Sequence, residues 1–162
     1  MKHSVWLCPS SVDAPRLRAL IERCAAATGS PSFAPHITLV SEPASTSLAN
    51  TALERPLPLT LTLANVEFGD DYFHACYLVL RHDTSLLDLQ ARSAAALRGR
   101  VPDRYPPHLS LAYGELSEAQ QRKVMALVAA LPITATFDHI EVWETGGAVA
   151  DWQPQRATSA QV

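Results

Sequence analysis

Two five-residue segments of this chain repeat one pattern: Pro35-His36-Ile37-Thr38-Leu39 and Pro107-His108-Leu109-Ser110-Leu111. Each runs proline, histidine, aliphatic, hydroxyl, leucine, and one lies in each half of the sequence. In an extended strand the side chains at i and i+2 leave the same face. His36 therefore shares a face with Thr38, and His108 with Ser110, while Ile37, Leu39, Leu109 and Leu111 point the other way into apolar packing. Across a cleft, two such strands offer two imidazoles and two hydroxyls, a set suited to opening a cyclic phosphodiester. One neutral imidazole takes a proton from attacking water, and one imidazolium gives a proton to the leaving sugar oxygen. Histidine serves both roles because its ordinary pKa, about 6.5, lies near neutral pH. Each positioned proton transfer is worth on the order of 10²–10⁴-fold in rate. The Thr38 and Ser110 hydroxyls can donate to the non-bridging phosphate oxygens, where negative charge must be held. This chemistry requires no metal and no other cofactor.

The remaining chemical side chains carry weaker patterns. The chain has six histidines, but no HExxH, no paired CxxC and no carboxylate inside either repeated segment, so a metal site is not expected. His3, His74, His82 and His139 have no motif partners; His74, beside Phe73, is a weaker candidate for the cleft wall. Cys8, Cys24 and Cys76 are odd in number and read as reduced, buried thiols. Arg100 and Arg104 flank the approach to His108 and read as a solvated loop.

The elements needed to position the motifs follow from periodicity. Ser4 to Cys8 reads as a strand stopped by Pro9, and Asp13 and Pro15 open a helix that Gly29 closes. His36 to Val40 alternates as a strand, and residues 44 to 56 are weakly patterned. Leu57 to Phe68 and Tyr72 to Leu80 read as a hairpin turning at Gly69-Asp70-Asp71. A helix runs from Leu86 to Leu97 and ends at Gly99, followed by the strand from His108 to Tyr113. Ser117-Glu118-Ala119-Gln120 is a capping-box start for a helix through Leu131, and Ile133 to Trp143 returns to strand. The turn at 69–71 makes the pairing antiparallel, so the class is α+β, not a doubly wound parallel sheet.

With 48% hydrophobic and 18% charged residues, the 162-residue chain can bury one core. Its net charge of −3 argues against a duplex nucleic-acid partner, which demands clustered Lys and Arg. No run approaches membrane-spanning length and the start is no signal peptide, so a monomeric, cytoplasmic protein with no membrane partner is expected.

The paired His-x-Thr/Ser motifs resemble those of the 2H phosphoesterase superfamily. The nearer likeness is to its cyclic phosphodiesterase branch of plants and yeast, through Ser4–Pro9, Phe33–Leu39, Tyr72–Leu78 and Pro107–Tyr113. The resemblance implies a bilobal, pseudo-two-fold α+β domain over residues 1–155, with two antiparallel sheets facing a central cleft, helices outside, and a frayed tail at 156–162. It implies a small cyclic-phosphate nucleotide as substrate, either ADP-ribose 1″,2″-cyclic phosphate or nucleoside 2′,3′-cyclic phosphates. It also implies His108 as base and His36 as acid, although the near symmetry of the motifs leaves that division open. Tyr113 matches a family tyrosine near the phosphate, and Trp6 with Tyr72 or Phe73 would wall the base or ribose. An enzyme acting on RNA ends and a non-catalytic nucleotide-binding module remain alternatives on the same fold.

Overall fold

A computed structural model describes residues 2–48, 53, 55–102 and 104–155. The tail at 156–162 lies outside the described residues, as does part of the weakly patterned stretch 44–56. The element order is β1 (His3–Pro9), α1 (Ala14–Thr28), β2 (Ile37–Ser41), β3 (Leu59–Glu67), β4 (Cys76–Leu80), α2 (Thr84–Leu97), β5 (His108–Ala112), α3 (Glu118–Leu127), β6 (Ile133–Glu144) and β7 (Gln153–Pro154).

Local chemistry explains most boundaries. Helix α1 takes Asp13 as N-cap, carries proline in its first turn, and ends on Gly29 at φ 73°, where a left-handed residue suits glycine. Its buried residues Leu17, Ile21, Cys24 and Thr28 form one stripe of helical period. The Asp83 side chain accepts the Leu86 N–H to start α2. The capping box of Ser117 and Gln120 is present at α3, but that helix ends at Leu127, short of the expected Leu131.

Two local expectations need correction. Tyr72–His74 is a 3-10 turn and not strand, because the Asp71 carboxylate accepts the backbone N–H groups of Phe73 and His74. Helix α2 ends on Arg98 at φ 50°, not on the glycine after it. Gly99 is needed for proximity: a Cβ there would stand 2.2 Å from Val40 Cγ1.

The larger correction concerns the sheets. Among the described residues the strands form one antiparallel sheet in the order β1-β2-β5-β4-β3-β6-β7, and β1 also pairs with β6. Six strands thus close into a barrel-like ring, with β7 appended to β6. Two facing sheets do not separate because β1 is hydrogen-bonded along both edges and β2 meets β5 at Ile37–Leu109. Within the ring, β1-α1-β2 and β4-α2-β5 repeat one arrangement. A register shift falls just before Trp6 in the first unit and just before Tyr77 in the second. Trp6 then stands opposite Thr38 and Tyr77 opposite Ser110. Each helix packs against the other unit's histidine strand, α1 on β5 and α2 on β2. Ile37, Leu39, Leu109 and Leu111 are fully buried, which fixes the register by holding the motif strands' other face toward the cleft. All three cysteines are buried and unpaired.

Candidate active site

The short bridge between β2 and β5 brings the two motifs together. Around the antiparallel pair Ile37–Leu109, the register sets His36 across from Ser110 and Thr38 across from His108. All four line one cavity of about 400 Å³, together with Trp6, Phe73 and Tyr113. Tyr72 is the exception among the expected wall residues. It does not line this cavity, is half exposed, and packs edge-on against Phe73.

The two imidazoles are held alike. His36 Nδ1 lies 2.7 Å from the Ala34 carbonyl, and His108 Nδ1 lies 2.8 Å from the Pro106 carbonyl. A carbonyl only accepts, so Nδ1 carries the proton in both rings. Nε2 is left with no protein partner among the described residues, as a lone pair when the ring is neutral and a donor when it is charged. The prolines at 35 and 107 favour extended backbone in the residues before them, which helps place these carbonyls behind the rings.

Their surroundings differ. His36 lies flat on Trp6, with ring centroids 3.6 Å apart and planes 7° from parallel, and Phe33 meets it edge-on. Burial drives its pKa down to about 4; the Ala34 carbonyl opposes this, and the nearby His108 adds a like-charge penalty. His108 is also pushed below its ordinary value, chiefly by burial and partly by His74, while the Pro106 carbonyl and Asp71 pull the other way. Tyr77, the counterpart of Trp6, leans at 56° to His108 with centroids 4.9 Å apart. Tyr113 stacks on Phe33, and burial lifts its phenol well above the usual range, the Ser110 hydroxyl opposing. It therefore stays protonated as a donor at the cavity floor.

Several residues here carried little or no sequence signal. His74 lines the cavity beside His108, its Nδ1 2.8 Å from Asp71 Oδ1 and its ring stacked on Tyr105. Asp71 also accepts from the Tyr105 hydroxyl. Burial would raise its pKa, but the bonds from His74 and Tyr105 outweigh that and hold it below the ordinary carboxylate value. The pattern Asp-x-x-His at 71–74 was the available signal, since an aspartate capping a turn reaches a side chain three residues on. Trp143 stacks on Trp6, and Trp152, placed by β7, lines the cavity. Lys2 and His3 stand at its rim. Arg100 and Arg104, by contrast, are engaged by Glu42 and by Asp70 with Asp71.

Comparison with known proteins bears on the family and the fold. Residues 1–157 match the family model described as "Cyclic phosphodiesterase-like protein". A cyclic phosphodiesterase of Arabidopsis thaliana is 26% identical over 125 residues, covering 74% of this chain and 69% of that protein. E. coli LigT has a similar fold: its complex with 3′-AMP superposes with a TM-score of 0.56 at 15% identity, over 96% of this chain and 94% of LigT. The apo form of LigT gives a TM-score of 0.57 at 16% identity, over the same shares of the two chains. No helix among the described residues is long and apolar enough to cross a membrane. Paired histidine motifs on one ring-like sheet, and a family match over nearly the whole chain, lead to one assignment: the chain belongs to the cyclic phosphodiesterase-like family of 2H phosphoesterases.

Proposed function

We propose that this protein hydrolyses small cyclic phosphates on nucleotide-like molecules, nucleoside 2′,3′-cyclic phosphates or ADP-ribose 1″,2″-cyclic phosphate, to the corresponding monophosphates. The observation that carries this reading is the shared tautomer of His36 and His108. Each ring is anchored through Nδ1 to a carbonyl two residues back, and both line the same cavity beside a hydroxyl. The phosphate sits between the Nε2 atoms. One takes a proton from water as the oxygen attacks phosphorus; the other gives a proton to the sugar oxygen as its P–O bond breaks. Thr38, Ser110 and the protonated Tyr113 donate to the non-bridging oxygens.

The electrostatics support this division of protons. Mutual repulsion between the rings disfavours double protonation, and burial disfavours any charge while the site is empty. An arriving phosphate anion reverses the second effect, so the pair carries one proton in the complex, the form that acid–base catalysis requires. The indole beneath His36 further favours an imidazolium there, by roughly 0.5–2 kcal/mol for a cation over an aromatic face. A small anion is favoured over a polymer. The cavity is of mononucleotide scale, and its basic lining residues are Lys2, His3, His36, His74 and His108 against the one acidic residue Glu42, in a chain of net charge −3.

Phosphorus NMR of 2′,3′-cyclic AMP with chelator present tests this directly. The expected result is conversion to a single adenosine monophosphate, slowed on the order of 10²–10⁴-fold in His36→Ala and in His108→Ala. Wild-type turnover in either variant would exclude the mechanism. Faster hydrolysis of a cyclic-phosphate-ended oligonucleotide than of the mononucleotide would move the substrate to RNA ends.

A further inference from the structure

Two residues beyond Trp6, on the same face of β1, a second set of donor atoms comes together. Cys8 and His139 are partners in the β1–β6 register, and Glu141 stands opposite Trp6. The donor atoms of Cys8, His139 and Glu141 all lie within 4.8 Å of one another. Cys8 Sγ is 3.5 Å from Glu141 Oε2, and His139 Nε2 is 3.7 Å from Glu141 Oε1. Thiolate, imidazole and carboxylate ligands of tetrahedral zinc, at about 2.3, 2.0 and 2.0 Å from the ion, stand roughly 3.3–3.5 Å apart. The two contacts to Glu141 already stand near that spacing, and the remaining separations, none above 4.8 Å, need side-chain adjustment on the order of 1 Å.

We propose that Cys8, His139 and Glu141 bind one zinc-like divalent cation, with water as the fourth ligand, at a site separate from the hydrolytic cavity. None of the three lines that cavity.

Three observations support the assignment. The second nitrogen of His139 is already oriented: Nδ1 lies 2.6 Å from Asp138 Oδ1, which leaves Nε2, 3.7 Å from Glu141 Oε1, as the nitrogen placed to take a metal. A carboxylate behind a ligating histidine fixes its tautomer and raises its basicity. The Glu141 carboxylate is held in turn by the Trp143 indole N–H at 2.7 Å. The internal repeat supplies the third. Tyr77 pairs with Glu67 in the β4–β3 register, as Trp6 does with Glu141, but the next inward positions there are Val79 and Asn65 where this half has Cys8 and His139. The fold does not itself demand a thiol and an imidazole at this place. A thiolate–imidazole–carboxylate set favours zinc over magnesium or calcium, which take oxygen ligands. On binding, an Sγ–metal bond replaces the S–H hydrogen bond to Glu141, and the thiol proton leaves to solvent.

The test uses chelator-stripped, full-length protein titrated with cadmium, reading the ultraviolet thiolate-to-metal charge-transfer band. The expected band saturates at one ion per chain, is displaced by zinc, and disappears in Cys8→Ser. His139→Ala, a half-exposed position where folding is checked by circular dichroism, should bind roughly ten-fold or more weakly. Absence of a band in the wild type, persistence of the band in Cys8→Ser, or unchanged affinity in His139→Ala would each overturn the site. Persistence in Cys8→Ser would assign the metal to Cys24 or Cys76.

Discussion

His36 makes a quantitative link between the candidate site and stability. Its pKa is held down at about 4 in the folded protein by burial, against an ordinary value of 6.5 in the unfolded chain. Between those limits the unfolded chain binds more protons, so stability is full above the unfolded value and is lost as pH falls toward 4. At pH 4.5 the unfolded imidazole is almost fully protonated and the folded one mostly neutral, a loss on the order of 2–3 kcal/mol relative to pH 7.5. That is a large fraction of the about 5–15 kcal/mol that holds a domain together. The assay is urea denaturation followed by tryptophan fluorescence at both pH values, in the wild type and in His36→Gln. The variant subtracts the carboxylates that titrate in the same range, Asp13 and Asp71 among them, whose folded pKa values are lowered. The wild type should lose roughly 2–3 kcal/mol more than the variant on acidification. Equal losses, or a His36 NMR resonance titrating near pH 6.5, would refute the claim that burial keeps this ring neutral.

Two further outcomes follow from named contacts. Asp71→Asn removes a negative charge that raises the His108 pKa, so the His108 resonance should titrate at still lower pH; an upward move would show that Asp71 does not act on His108 as a charge. Gly99→Ala forces a Cβ against Val40 and Pro43 at the end of β2, and should cost about 1–3 kcal/mol, or roughly 3–10 °C in Tm. An unchanged melting curve would mean that α2 and β2 can separate freely there.

The sequence by itself determined the candidate quartet of His36, Thr38, His108 and Ser110 and most of the elements, because both rest on short-range rules. Period-two alternation after Pro35 and Pro107 sets each histidine and hydroxyl on one strand face, whatever the rest of the chain does. Helical spacing and capping residues likewise place α1, α2 and the start of α3. Tertiary structure decided what depends on partners distant in sequence. Closure of six strands into one ring follows from β1 pairing with β6 across the length of the chain, and no local pattern encodes that pairing. The same closure brings Trp143 and Trp152 beside Trp6 and sets Cys8 against His139 and Glu141. It also makes two nearly identical motifs unequal, one imidazole lying flat on an indole and the other tilted against Tyr77 and His74. A proton's affinity for a ring is set by everything packed around it, and that packing exists only once the chain has closed.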